Sequence, residues 1–374
     1  RAADRNGVPE KDPGTLAALE ASLAWVCRAQ DCSLTGDGGV ARHFSVIDGW
    51  SPSYPETTGY IVPTLIASGH ALKRQEYINR ARRMLETFIG IQFEDGGFQG
   101  GMVTSEPKVP TTFNTGQILI GLAAGAEFFG DRRYFDSMIR AGKWLRHTQD
   151  EDGCWRCFGS PFAKAGEKAY ETHVSWGLFE AARVSGDPSF GDAGIKQVYW
   201  ALSKQWPNGW FADCCLDDST RPLTHTLGYV LRGILEAYRY QSDPPLLDAA
   251  YRTGRAILDC QEPDGFLAGR FDANWSSAVS WACLTGSVQL AICWFRLYEL
   301  TDEQAFLAGA RRANSFVRRT IQTDGNPDWC GGVKGSFPVD GEYGKFEFLN
   351  WAAKFFIDSN LYEIDLVDCA GGSE

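Results

Sequence analysis

Six glutamines recur along the chain at intervals that no single helix explains: Gln30, Gln92, Gln149, Gln205, Gln261 and Gln322, separated by 62, 57, 56, 56 and 61 residues. Each closes an apolar or aromatic segment and precedes a short Gly-containing turn: TGDGG, FEDGGF, DEDGCW, WPNGW, EPDGF and TDGNPDW. The period is too long for one helix pair without a loop. Repeated six times, it predicts a closed or solenoidal helical array, because a hairpin that cannot bury its apolar face alone must stack on its neighbours.

Two kinds of helix start alternate between the glutamines. Pro55-Glu56-Thr57-Thr58-Gly59-Tyr60 opens an apolar segment, and Pro at a first turn beside Glu and Thr marks a helix N-terminus. Similar starts follow at Thr112–Gln117, His173–Gly177, Thr224–Tyr229 and Ala282–Ser287, and Phe348–Ala353 replaces the shared Gly with Ala. These segments are apolar nearly all round and read as buried inner helices. Gly130-Asp131, Gly186-Asp187, Ser242-Asp243 and Thr301-Asp302 open amphipathic outer helices, the first residue ending one helix and the Asp capping the next. Thr15 to Gln30 is the first of them. The expected architecture is all-α: an (α/α)6 barrel of twelve helices in a single domain over 14–361, with a polar arm at 1–13 and a short acidic tail at 362–374.

Composition narrows the partners. A net charge of −11 without a Lys/Arg run disfavours nucleic acid, whose phosphates demand a basic surface. No apolar stretch reaches the roughly 18 residues a membrane span needs. The 11 cysteines cannot all pair, and Cys27, Cys260, Cys283 and Cys293 fall within helical patterns as small apolar groups. That favours a reducing, cytoplasmic setting. No signal peptide is recognisable and the chain opens at Arg1, so export stays open.

Arg140, Ala141, Trp144, Leu145, Gln149, Gly153 and Trp155 fit the QW motif, and in this the chain resembles squalene and hopene cyclases. DGGFQGG at 95–101 is similar to the equivalent turn of protein prenyltransferase β-subunits. Both families are α/α toroids, so the resemblance implies the toroid over nearly the whole chain. The Asp-x-Asp-Asp acid motif of the cyclases is absent; Cys215-Leu216-Asp217-Asp218 lacks its first Asp. The same ring carries many sugar-processing enzymes, and the chain also resembles toroid proteins of bacterial polysaccharide gene clusters. Fold alone does not settle the chemistry.

The alternation places the long Gln-turn loops and the N-termini of all six inner helices at one end of the ring. Helix dipoles there favour an anionic group, each by roughly 0.3–1 kcal/mol. The first inner turns present Glu56, Thr57 and Tyr60; Asn114 and Gln117; Glu171, His173 and Trp176; His225 and Tyr229; Gln289; and Asn350. Paired carboxyls suit glycoside hydrolysis, and paired His or His–Tyr suits proton transfer at a sugar carbon. Glu56, Glu171, His173 and His225 are therefore acid/base candidates, with Tyr229 in support. Asn114, Gln117, Gln289, Asn350, Thr57, Tyr60, Trp176, Trp50 and Tyr54 are substrate-binding candidates. Trp155, Trp210, Phe266, Trp275 and Trp329 offer further stacking faces.

Each has a plainer reading beside it. Glu56, Glu171, Asn114 and Thr57 also suit helix N-termini, the histidines also suit a satisfied core, and the repeat itself requires turn aromatics. Cys154, Cys157, Cys214 and His225 make a candidate tetrahedral zinc set, which the Asp, Cys and His zinc ligands of prenyltransferases also imply for Asp152-Gly153-Cys154 with His225. Their spacing matches no zinc finger, and the favoured reading needs no metal and no cofactor. The chain is thus expected to cleave, as hydrolase or lyase, or to epimerise an oligo- or polysaccharide containing acidic sugars. The alternatives are isoprenoid chemistry in an apolar cavity, and a non-catalytic glycan-binding toroid.

Overall fold

A computed structural model describes residues 4–371, with side chains as far as residue 366. Among these residues twelve α-helices follow one another: α1 (Thr15–Asp31), α2 (Pro55–Ala71), α3 (Gln75–Ile91), α4 (Thr112–Phe129), α5 (Arg132–His147), α6 (Thr172–Ser185), α7 (Pro188–Leu202), α8 (Thr224–Gln241), α9 (Pro244–Leu258), α10 (Leu284–Thr301), α11 (Gln304–Thr320) and α12 (Asn350–Gly371). The even-numbered helices pack in order around a ring, α2 on α4 through to α12, and α12 returns to α2. The odd-numbered helices form the outer layer. This is the expected (α/α)6 barrel.

The inner helices approach closely because their first turns carry glycine. A methyl group on Gly59 would stand 2.5 Å from Ile118 Cα, and one on Gly177 would stand 2.5 Å from Gly116 O. Any larger residue would push the ring apart.

The repeated glutamine has a mechanical task. Gln92 Nε2 donates to Gly96 O in its own turn at 2.9 Å and to Ser137 O on the next outer helix at 3.0 Å. Gln149 bonds Gly153 O and Ala193 O in the same way, both at 2.9 Å. Gln30, Gln205 and Gln261 likewise reach a carbonyl of the following outer helix. One amide thus closes a turn and ties adjacent units. Gln322 is the exception: its backbone carbonyl accepts from Gly331 N, and Ser22 and Trp25 of α1 hold this last turn instead.

The outer-helix starts follow the expectation in two units of four. Asp131 and Asp187 accept from Arg133 N and Ser189 N at 2.9 and 3.0 Å, after Gly130 and Gly186 in the left-handed conformation. Asp243 caps nothing and accepts from Tyr199 Oη. Asp302 takes the left-handed position itself (φ 57°), ending α10, and Glu303 stands where the cap was expected.

Neither terminus is as simple as the sequence suggested. In the arm, Asp4 is buried against Lys334 Nζ (2.5 Å) and Val339 N (2.9 Å), and Asp12 pairs with Arg318 at 2.9 Å. Residues 362–371, expected as an acidic tail, continue α12, with Tyr362 stacked on Phe295 and Glu363 bonded to Asn314 and Arg318. Residues 372–374 lie outside the described part.

Short strands join the mouth loops. β1 (His43–Ser45) pairs antiparallel with β2 (Gly49–Trp50) and with β5 (Glu347–Leu349), and β3 (Ala282–Cys283) pairs with β4 (Ser336–Phe337). The first loop and the last are thereby fastened across the closure of the ring. Toward the short-turn end the interior is ionic: Glu236 meets Arg232 at 2.7 Å, Arg239 at 3.1 Å and Arg296 at 3.2 Å, while Lys354 pairs with Asp358 at 2.5 Å. No described helix is long and apolar enough to cross a membrane.

Candidate active site

A small cavity of about 90 Å³ lies inside the mouth, where α2, α8 and α12 present their first turns. Four predicted residues on the helices, Glu56, Tyr60, His225 and Tyr229, face it together with Tyr54. Glu56 and Tyr60, like His225 and Tyr229, are four residues apart and so share a helix face. Arg42, Phe113, Ser160, Phe162, Tyr170, Leu216, Tyr343 and Trp351 complete the wall.

Glu56 caps no backbone N–H; its Oε2 accepts a short bond from Tyr54 Oη. Burial pushes its carboxyl up to about 7, against the pull of the Tyr54 hydrogen bond and the Arg42 charge. A group poised there is protonated in mildly acid solution and gives up its proton near neutrality.

His225 Nδ1–H donates to Gln289 Oε1 at 2.8 Å, which fixes the tautomer and leaves Nε2 as an acceptor. Burial lowers its pKa to about 4 despite the opposing Gln289 bond, so it is a neutral base at physiological pH. His173 repeats the arrangement one unit earlier, its Nδ1–H donating to Gln117 Oε1 at 2.6 Å. Burial, with the positive charges of Arg232 and Lys354, keeps it neutral, and its Nε2 has no partner. Both rings lie 4.4 Å from the Tyr229 ring, and Tyr229 Oη meets Tyr60 Oη at 3.3 Å. Burial holds Tyr54, Tyr60, Tyr229 and Tyr343 protonated.

Arg42 is the cation of the wall. Its guanidinium stacks 5.1 Å over Trp351 and 5.5 Å over Phe162, and its Nη1 reaches Glu347 at 3.3 Å. Its Nε is buried without a partner. Phe162 lies edge-on over Tyr54 and is 48% exposed, so it covers the cavity from the solvent side. Ligand pockets run to roughly 300 Å³ or more, so the cavity is small for one with Phe162 in this place.

The remaining predicted residues fall elsewhere. Gln117 and Gln289 orient the histidines, and Asn114 and Asn350 hold loop carbonyls Gln99 O and Ala41 O at 3.0 and 2.9 Å. Thr57 turns back to Tyr54 O. Trp176 lies under Arg232, 4.1 Å from its guanidinium, toward the ionic layer. Glu171 lines an adjacent cavity. Trp50 packs on Trp25 and Phe44, and Trp155 and Trp210 are buried in the turns. With Phe266, Trp275 and Trp329, they stand outside the central cavity, because turn aromatics serve the repeat.

The zinc set is not assembled. Among the described residues no three His, Cys, Asp or Glu side chains converge on a metal position. Cys214 Sγ donates to Thr226 O, Cys157 is exposed, and His225 turns its Nδ1 to Gln289. The ten described cysteines are all free.

Sequence reasoning missed Arg42, Phe113, Phe162, Tyr170, Tyr343 and Trp351. Phe113, Tyr170 and Trp351 each directly precede or follow a chosen residue, so the helix starts did signal them. Arg42, Phe162 and Tyr343 lie in the long Gln-turn loops, where no residue-level signal marked them.

Solved structures share this fold at low sequence identity. No family model and no curated protein sequence matches the chain. An unsaturated glucuronyl hydrolase specific for heparin superposes with a TM-score of 0.77 at 13% identity, over 96% of this chain and 99% of that one. Cellobiose 2-epimerase from Bacillus thermoamylovorans gives 0.72 at 14% identity, over 94% and 98%. A sugar epimerase from a ruminal bacterium gives 0.74 at 13%, over 93% and 99%. At such identities the likeness is one of fold, the (α/α)6 barrel.

Proposed function

We propose that this chain is a carbohydrate-active enzyme that cleaves an oligosaccharide bearing an acidic sugar, with Glu56 as general acid and His225 as general base. The observation that carries this reading is a protonatable buried carboxyl and a neutral histidine in one aromatic-walled cavity, beside an arginine. Glu56 donates its proton to the departing oxygen while His225 Nε2 takes one from water. Arg42 attracts the sugar carboxylate. Tyr54 aims the Glu56 carboxyl, and Gln289 fixes the imidazole. That several fold relatives are named for glucuronyl hydrolysis supports this choice of substrate class.

Epimerisation is the second reading. It is favoured by the two histidines, each with Nδ1 bonded to a glutamine, on either side of Tyr229. Isoprenoid chemistry is disfavoured because the middle of the barrel is filled by Tyr60, Phe355 and the buried Lys354. The free thiols support a reducing, cytoplasmic location.

The test is incubation with unsaturated uronyl disaccharides and with reducing disaccharides in water carrying heavy oxygen and deuterium. Hydrolysis splits the disaccharide and places heavy oxygen in a product; epimerisation leaves it whole with one deuterium at carbon. Thermal stabilisation by the sugars without any product would overturn catalysis in favour of a binding module. Stabilisation by a prenyl diphosphate alone would overturn the sugar reading.

A further inference from the structure

A second cavity, of about 220 Å³, adjoins the central one. Phe113, Ser160 and Tyr170 line both, so one wall separates them. Glu171 stands in the second cavity in an unusual condition. It occupies the position that caps α6 yet caps nothing, it is only 5% exposed, and its Oε2 has no partner. A carboxyl left so is costly unless a ligand completes it.

The other charged groups of this cavity are basic. Arg156 is already committed to Asp150, Asp152 and Glu167 at 2.9, 2.6 and 2.7 Å, and Lys204 to Glu167 at 2.5 Å. Lys164 and Lys168 are the lysines on its wall. Both lie in the loop that carries Ser160 and Phe162 over the central cavity.

We propose that this second cavity is a sugar subsite that takes the oxyanion, carboxylate or sulfate, of the residue next to the one held in the central cavity, through the unpartnered Glu171 carboxyl and the charges of Lys164 and Lys168. The assignment rests on the central cavity being the reaction site. It makes the substrate at least a disaccharide with an acidic substituent on each unit.

Burial, opposed by Lys168, pushes Glu171 up to about 8. Tyr170 and Cys154 beside it are held neutral by their own burial, and His173, Gln117 and Tyr229 on the neighbouring inner helices add no charge. Below about 8 the carboxyl is neutral and donates to an oxyanion; above it the ionised form repels one.

The test uses the Glu56→Gln protein, which keeps the substrate intact, and compares disaccharides that share one acidic unit and carry sulfate, carboxylate or hydroxyl on the second. Dissociation constants are measured at about pH 6 and about pH 9.5, either side of the Glu171 ionisation. An oxyanion on the second unit is expected to tighten binding by about tenfold at the lower pH and to give no gain at the higher. Adding Glu171→Gln, which keeps a donor but cannot ionise, should retain the gain at both. Adding Lys164→Ala and Lys168→Ala to the Glu171→Gln protein should abolish it at both. Whichever oxyanion shows the larger gain identifies the substituent. Equal binding of all three disaccharides, or a pH dependence that survives Glu171→Gln, would overturn the subsite while leaving the central cavity intact. Failure of every disaccharide to bind would instead remove the reading on which it rests.

Discussion

The two ends of the barrel bury polar side chains in opposite ways. Toward the short-turn end charges are paired: Glu236 sits among Arg232, Arg239 and Arg296, and Lys354 meets Asp358, which also accepts from Thr64 at 2.6 Å. Burial alone would raise the Glu236 carboxyl, but the arginines outweigh it and bring it down to about 2. At the mouth, buried groups are neutral and incompletely bonded. Glu56 is held up near 7, His225 is held down near 4, and Nε2 of His173, Nε2 of Gln117 and Nε2 of Gln289 have no partner. The same helices carry both layers. Charge that is neutralised serves the fold, whereas polarity left open serves a ligand.

Substitutions should separate the two ends cleanly. Glu56→Gln should lower kcat by about 100-fold or more, since a general acid contributes roughly 10²–10⁴. It should also stabilise the protein in alkaline solution. Glu56 binds its proton more tightly in the fold, at about 7, than at its ordinary 4.5, so stability falls as pH rises between those values. The Gln variant escapes that loss, and denaturant unfolding above neutrality should find it more stable by about 3 kcal/mol. Below about pH 4.5 the advantage should vanish.

Glu236→Ala should do the reverse. It leaves Arg232 and Arg296 buried beside each other without a counter-charge, a loss of about 3–5 kcal/mol in denaturant unfolding. Activity per folded molecule should stay near wild type. A large fall in kcat with unchanged stability would erase the distinction between the ends.

Arg42→Ala should raise KM for acidic sugars by about tenfold or more and leave neutral analogues nearly unaffected, as expected for loss of one charged hydrogen bond. The smallest effect belongs to Phe162→Ala, which uncovers the cavity. Its KM should change by only about twofold to fivefold, mostly through faster entry and exit, as stopped-flow binding would report.

The ring was legible in the sequence because the glutamine amide ties its unit to the next outer helix in five of the six units, a demand that fixes the repeat. Glu56, Tyr60, His225 and Tyr229 were legible because they stand on first turns of inner helices with helical spacing toward the axis. Glu171 was misplaced because a 3-10 turn over Ala169–Glu171 precedes α6 and turns it into the neighbouring cavity. Arg42, Phe162 and Tyr343 come from loops whose paths follow strand pairing and ring closure, neither of which has a period to read. The turn tryptophans follow the plainer reading that the repeat requires them: Trp155 spends its N–H on Leu145 O at 2.9 Å inside its own unit, while its ring lines the second cavity.

The central claim is that a protonated Glu56 and a neutral His225 act together at the mouth. The most direct test is the pH dependence of kcat/KM on an acidic disaccharide that the enzyme turns over, in wild type and in Glu56→Gln. The account predicts a bell, rising as His225 loses its proton near 4 and falling as Glu56 loses its own near 7, with the limb near 7 missing from the residual activity of the variant. An alkaline limb that persists unchanged in Glu56→Gln, or full activity in that variant, would contradict it.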